Sequence, residues 1–211
     1  MIYKILSIFL TCLCSLPCFA FEKATIQYDE YPVDYSVLDE KSITKEGDSF
    51  FEQYEKTGDV KFLTTAMGKY YISTKIHPNE LYPIIQLAKT YDEKKLDRKA
   101  KQYFNRGLDM DNTDPYLNYS FGNFYFKRAD FKRALKYYKK AYNNGYQDYY
   151  DINLKIATIY EKFADLLSAK YYYDKAYSLN PSATTLKDKS AEIDSLDYGK
   201  SEYYDGKKHE N

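Results

Sequence analysis

The chain has 211 residues, with 31 basic and 31 acidic side chains, no tryptophan and 27 tyrosines. Its formal net charge is zero and the two signs are interspersed. That excludes the basic face on which nucleic-acid affinity rests and the polybasic run that anionic lipid attracts. The three cysteines are Cys12, Cys14 and Cys18, so nothing beyond them can form a disulfide or a thiolate metal site.

Residues 1–20 read as a targeting segment. Lys4 is its only charge, an apolar stretch runs from Ile5 to about Leu16, and Cys18-Phe19-Ala20 puts small residues at the first and third places of a signal-peptidase site. The apolar stretch falls short of the roughly 20 residues a membrane span needs. The expectation is a periplasmic or secreted protein cleaved after Ala20, with no integral membrane span afterwards. An uncleaved N-terminal anchor is the competing reading, and the cysteines lack the spacing of a lipid-attachment box. Residues 21–44 show no helical period: 24–28 and 33–37 alternate weakly around Pro32, which predicts an extended arm.

Further on the pattern is helical and repeats. Gly122, Tyr125, Ala134, Tyr138 and Ala141 recur 34 positions earlier as Ala88, Tyr91, Ala100, Phe104 and Gly107. They recur 35 positions later as Ala157, Tyr160, Ala169, Tyr173 and Ala176. Ala66, Tyr70 and Ser73 continue the series towards the N-terminus, and Pro78 and Pro181 close the first and last units. Spacings of four and three place Ala134, Tyr138 and Ala141 on one helix face. Gly122 lies mid-helix, where glycine costs about 1 kcal/mol against alanine. A glycine kept there implies close approach of two helices, so leucine at 122 is expected to overpack the contact, while propensity predicts that alanine is nearly neutral or stabilising. Asp59, Asp130 and Asp165 stand where second helices begin, as N-caps. Pro115 suits a first turn, and Asn144-Gly145 stops the helix before it.

This pattern resembles the tetratricopeptide repeat, a helix–turn–helix unit of about 34 residues. The resemblance implies an all-α helix-turn-helix repeat solenoid of about three to four units. A degenerate first unit covers 45–78, with its first helix at about Lys45 to Lys56 and roughly three extra residues, and with Tyr54 where a small residue is expected. Three regular units cover 79–181. A capping helix over 182–196 follows, with Ser182 as N-cap and Leu186, Ile193 and Leu196 on its apolar face, because a terminal repeat cannot leave its apolar face bare. The polar stretch 197–211 is expected to be a disordered tail.

No catalytic constellation is visible, and no cofactor or metal is implied. The only histidines, His77 and His209, are far apart in sequence, and there is no Gly-rich phosphate loop or nucleophile elbow. Asn118-Tyr119-Ser120 matches a glycosylation sequon but falls inside a predicted helix. What the resemblance implies is a binding groove lined by first-helix positions. These are Tyr82, Ile85, Lys89 and Asp92 in one unit, Tyr116, Tyr119, Asn123, Phe126 and Lys127 in the next, and Asp151, Leu154, Thr158 and Glu161 in the last. In the subset of the family that holds chaperone C-termini, the equivalent places carry Lys and Asn, then Asn, then two bases. Here they carry Ile85 and Lys89, Ser120, and Asp151 and Lys155, so that use is not expected. The function expected is a protein–protein interaction scaffold of the bacterial envelope, with another protein or peptide segment as partner. Self-assembly through the aromatic face, or a carbohydrate-binding module built on the tyrosines, are the alternatives. Tyr116, Tyr119 and Phe126 are expected to be exposed, so that their removal abolishes capture with little change in stability.

Overall fold

The computed structural model describes residues 40–195, all within the unit Tyr35–Asn211. The targeting segment, most of the arm and the polar tail lie outside the described residues. Nine α-helices make up the described part: α1 Glu40–Thr57, α2 Val60–Ile76, α3 Leu81–Glu93, α4 Asp97–Met110, α5 Pro115–Phe126, α6 Phe131–Ala141, α7 Tyr150–Lys162, α8 Leu166–Leu179 and α9 Thr184–Ser195. They pack as four antiparallel hairpins, α1–α2, α3–α4, α5–α6 and α7–α8. Each hairpin lies against the next, and α9 closes on α8.

Three of the four hairpin turns are capped alike, the exception being α3–α4, where Leu96 precedes α4 without a side-chain cap. Asp59, Asp130 and Asp165 each accept from a backbone N–H of the helix they open, on Lys61 (2.9 Å), Arg133 (3.2 Å) and Ser168 (3.1 Å). Asp114 does the same for Leu117 at 2.6 Å, one residue before Pro115. The residue that reverses the chain is left-handed in every unit: Gly58 (φ 71°), Lys95 (59°), Ala129 (55°) and Ala164 (58°). Only the first of these is glycine. An L-residue in this region is disfavoured by about 1–2 kcal/mol, and glycine gives part of that back through its greater freedom when unfolded. Ala164→Gly, at an exposed position, is therefore expected to raise unfolding free energy by about 0.5–1 kcal/mol. A chemical denaturation midpoint below wild type would overturn this.

The repeated small and aromatic positions are the contact between paired helices. A Cβ added to Gly122 would lie 2.5 Å from the ring of Tyr138. Tyr138, Phe104 and Tyr173 are buried, as are Ala88, Ala134, Ala141, Ala157, Ala169 and Ala176. A second layer is stacked over the first. Tyr91 lies on Tyr103 (5.3 Å), Tyr125 on Tyr137 (5.7 Å) and Tyr160 on Tyr172 (5.8 Å), each joining the first helix of a unit to the second. Such pairs add about 0.5–1.5 kcal/mol beyond their burial. Two buried asparagines tie the linkers between units: Asn118 Nδ2 donates to the carbonyls of Asn112 and Asp114, and Asn153 Nδ2 to those of Gln147 and Tyr149. Asn118 is fully buried, so the sequon there offers no acceptor to solvent.

The first unit departs from the sequence reading. Its first helix begins at Glu40, not Lys45, because Ile43 and Thr44 are buried and Thr44 shares a 2.7 Å hydroxyl contact with Ser73. The small residue is Gly47, not position 54: a Cβ there would lie 2.8 Å from Tyr70. Counted from the left-handed turn residue, Gly47 lies four positions farther back than Gly122 does, and Tyr70 three positions farther on than Tyr138. Each helix of this hairpin is thus longer by about one 3.6-residue turn, filled by Phe51, Leu63 and Met67. The periodicity hides an insertion shared between two helices because a whole turn preserves which residues face inward.

At the other end α9 begins at Thr184. Ser182 does not act as the expected N-cap, since its hydroxyl donates to Asn180 Oδ1 at 2.6 Å. Leu186 and Ile193 of α9 join Ala157, Ala169, Tyr173 and Ala176 in a core of their own.

Candidate functional site

The first helices of all four hairpins meet along one cleft of about 340 Å³. Phe51 and Glu55 enter it from α1, Lys89, Asp92 and Glu93 from α3, Tyr119, Ser120, Asn123 and Phe126 from α5, and Asp151 and Lys155 from α7. Lys127, just past α5, completes the wall and Phe104 of α4 reaches it from below. The helical hairpin explains this arrangement: the aromatic residues of the second helices fill the inside, which leaves the opposite side of each first helix open.

Of the residues expected in a groove, Lys89, Asp92, Tyr119, Asn123, Phe126, Lys127 and Asp151 line this cleft. Tyr82 and Tyr116 sit beside it in a shallower notch with Glu80, Leu81, Ile85 and Asp114, their rings stacked at 6.0 Å. Four expectations are corrected. Ile85 is 1% exposed and belongs to the main core, so it underlies the notch and offers a partner little surface. Leu154 packs into the C-terminal core, and the Thr158 hydroxyl donates to the Leu154 carbonyl at 2.8 Å. Glu161 accepts from Lys189 of α9 at 2.8 Å and from the Tyr173 hydroxyl. None of these three lines the cleft, because the capping helix engages this end of α7. Conversely, Phe51, Glu55, Glu93, Ser120 and Lys155 line the cleft although they were not expected there. The α1 pair was hidden by the offset register of the first unit. Lys155 lies one turn before Thr158 on α7, on the same side of the helix.

The aromatic residues are not free surface. Tyr116, Tyr119 and Phe126 are half-buried. Tyr119 packs on Tyr138 and Tyr146 at 5.9 and 5.8 Å, and Phe126 packs edge-on to Phe131 at 5.6 Å. Asn123 accepts the hydroxyl of Tyr138 at 2.8 Å, so this cleft residue is tied to the repeat core. Burial pushes the Tyr82 and Tyr116 phenols up to about 12, assisted by the negative charge of Asp48.

The charges divide into two groups. Asp92 is buried and paired with Lys127 at 3.1 Å and Arg128 at 2.7 Å, while Lys127 also bonds Glu93 and Arg128 also bonds Asp97. Burial works against the charge on Lys127, but hydrogen bonding and attraction from Glu93 and Asp92 outweigh it and hold its pKa above the ordinary value. Lys89 and Lys155 are different. Lys89 donates to the Tyr116 hydroxyl at 2.9 Å and sits over the rings of Phe51 and Tyr116 at 5.0 and 5.4 Å. Lys155 sits over Phe126 at 5.1 Å. Burial depresses both below the ordinary lysine value, only partly opposed by Glu55 and Asp48 for Lys89 and by Asp151 for Lys155. Among the described residues, no group of three or more His, Cys, Asp or Glu could hold a metal ion, and no helix is long and apolar enough to cross a membrane.

A tetratricopeptide-repeat family model matches residues 84–114 and 150–182, and the unmatched hairpin between them, α5–α6, has the same turn and the same buried positions. The chain carries tetratricopeptide repeats. Its fold is shared with the crystal structure of MamA protein, at 20% identity and a TM-score of 0.57, over 73% of this chain and 80% of that one. It is shared also with Pseudomonas aeruginosa PilF, at 14% identity and a TM-score of 0.59, over 72% of this chain and 69% of that one. No curated protein matches the sequence. The tetratricopeptide-repeat fold is typical of protein-interaction scaffolds.

Proposed function

We propose that this protein is a non-catalytic scaffold of the bacterial cell envelope that holds a segment of a partner protein in the cleft formed by α1, α3, α5 and α7. One observation carries the reading: a single cleft draws side chains from four consecutive first helices and combines aromatic walls with charged groups of both signs. That combination fits a peptide, whose backbone and side chains need apolar contact and polar registration together. The envelope assignment is supported by the sequence of residues 1–20, and on that reading the form recovered from the envelope starts at Phe21.

The test is site-specific photo-cross-linking in the native cell. A photoreactive residue replaces Glu55 or Asp151, both exposed on the cleft, or Lys136, exposed on α6 and outside it. The expected result is one discrete heterologous adduct from positions 55 and 151 and none from 136. Adducts from 136 alone would sink the cleft as the site. An adduct of two copies of this chain from 55 and 151 would favour self-assembly instead.

A further inference from the structure

We infer that the cleft receives an acidic side chain of the bound segment between Lys89 and Lys155, while a basic side chain of the same segment meets Glu55 and Asp151. This rests on the cleft being the partner site and specifies the chemistry of the partner.

Both lysines line the cleft, and both are half-buried. Neither has a carboxylate within ion-pair distance among the described residues. Their neighbours are the ring faces of Phe51, Tyr116 and Phe126 and the hydroxyl of Tyr116. Lys127, between them along the helices, shows what a satisfied cleft lysine looks like: it holds both Asp92 and Glu93. Lys189 is likewise held by Glu161. A cation drawn away from water without an opposite charge is an uncompensated cost. Much of the desolvation that weakens a salt bridge has already occurred in the free protein, so an arriving carboxylate gains charge-assisted hydrogen bonds at a reduced penalty. The depressed lysine pKa values agree with this geometry.

The cleft's own carboxylates set the rest of the pattern. Asp92 and Glu93 are occupied by Lys127 and Arg128. Glu55 and Asp151 are exposed and form no ion pair among the described residues. They remain hydrated in the free protein, favour a base on the occupant and disfavour a second acid. The occupant is therefore a segment in which an acidic and a basic residue lie close together, flanked by apolar residues that contact Phe51, Tyr119 and Phe126.

Random dodecapeptides displayed with their C-termini fused to a coat protein, so that every peptide carboxylate is a side chain, are selected on the full chain. The expected result is enrichment of Asp or Glu beside Lys or Arg. A selected peptide made synthetically should lose about tenfold or more in affinity when its acid is changed to the amide, or when the protein carries Lys89→Gln or Lys155→Gln. The amide peptide should be indifferent to the lysine variants, and Lys89→Arg should retain most of the binding. Thermal melting of each variant checks its fold. Peptides that cross-link from position 151 yet ignore both Lys→Gln changes would overturn the acid-acceptor inference and leave the cleft reading standing. Recovery of no peptide, or of peptides that do not cross-link from 151, would overturn both.

Discussion

Replacing Gly122 by alanine is expected to lower unfolding free energy by about 1–2 kcal/mol, and replacing it by leucine by about 3 kcal/mol or more, since overpacking a filled core forces side chains off their minima. Helix propensity alone predicts the opposite sign for alanine, a gain of about 1 kcal/mol. The structure reverses it because the new Cβ would lie 2.5 Å from two ring atoms of Tyr138. That ring is fully buried, its hydroxyl is bonded to Asn123, and Tyr119 and Phe126 pack on it. Moving it therefore disturbs the cleft wall. The alanine penalty stays modest because neighbouring units already pair Ala88 with Phe104 and Ala157 with Tyr173, so a displaced ring position exists. Urea denaturation of the three proteins gives the order directly. A double-mutant cycle with Tyr138→Leu should show a favourable coupling of about 1 kcal/mol. Alanine at or above wild-type stability, without coupling, would show that the ring is not the obstacle.

The triple replacement of Tyr116, Tyr119 and Phe126 by alanine is expected to cost more than about 4 kcal/mol. Full burial of a phenylalanine makes its loss worth about 3–5 kcal/mol, and each of these rings is half-buried against the core. Against a total stability of roughly 5–15 kcal/mol, that shifts the melting temperature far down and is expected to remove the near-ultraviolet signal of packed tyrosines. The sequence reading, which took these rings as exposed anchors, is corrected here: any loss of binding in this variant would report unfolding. Charge changes at the exposed Glu55 and Asp151 are the variants that separate binding from folding. A triple variant that melts with the wild type would restore the rings to the free surface.

The sequence by itself determined the repeat. The recurrence of a small residue, a tyrosine, and then Ala-aromatic-Ala at 34 and 35 positions was enough to place α3 to α8 and their paired faces, and Asp130 and Asp165 were legible as the caps of α6 and α8, because these depend on local propensity and helical period. The capping helix was legible for the same reason, through Leu186 and Ile193. Tertiary structure alone decided three matters. The register of the first hairpin depends on Gly47 meeting Tyr70: the spacing shows about three extra residues, but an extra turn on each helix leaves the inward pattern unchanged, so periodicity does not show how the two helices share the insertion. The sign of Gly122→Ala depends on a clearance to a residue 16 positions away, which no helix propensity contains. The make-up of the cleft depends on which charges find partners across units. Asp92 is cancelled by Lys127 and Arg128, and Glu161 is taken by Lys189 of the cap, while Lys89 and Lys155 are left among rings. Pairings of this kind form between side chains about 30 residues apart, and only the packing of one hairpin on the next brings them within reach.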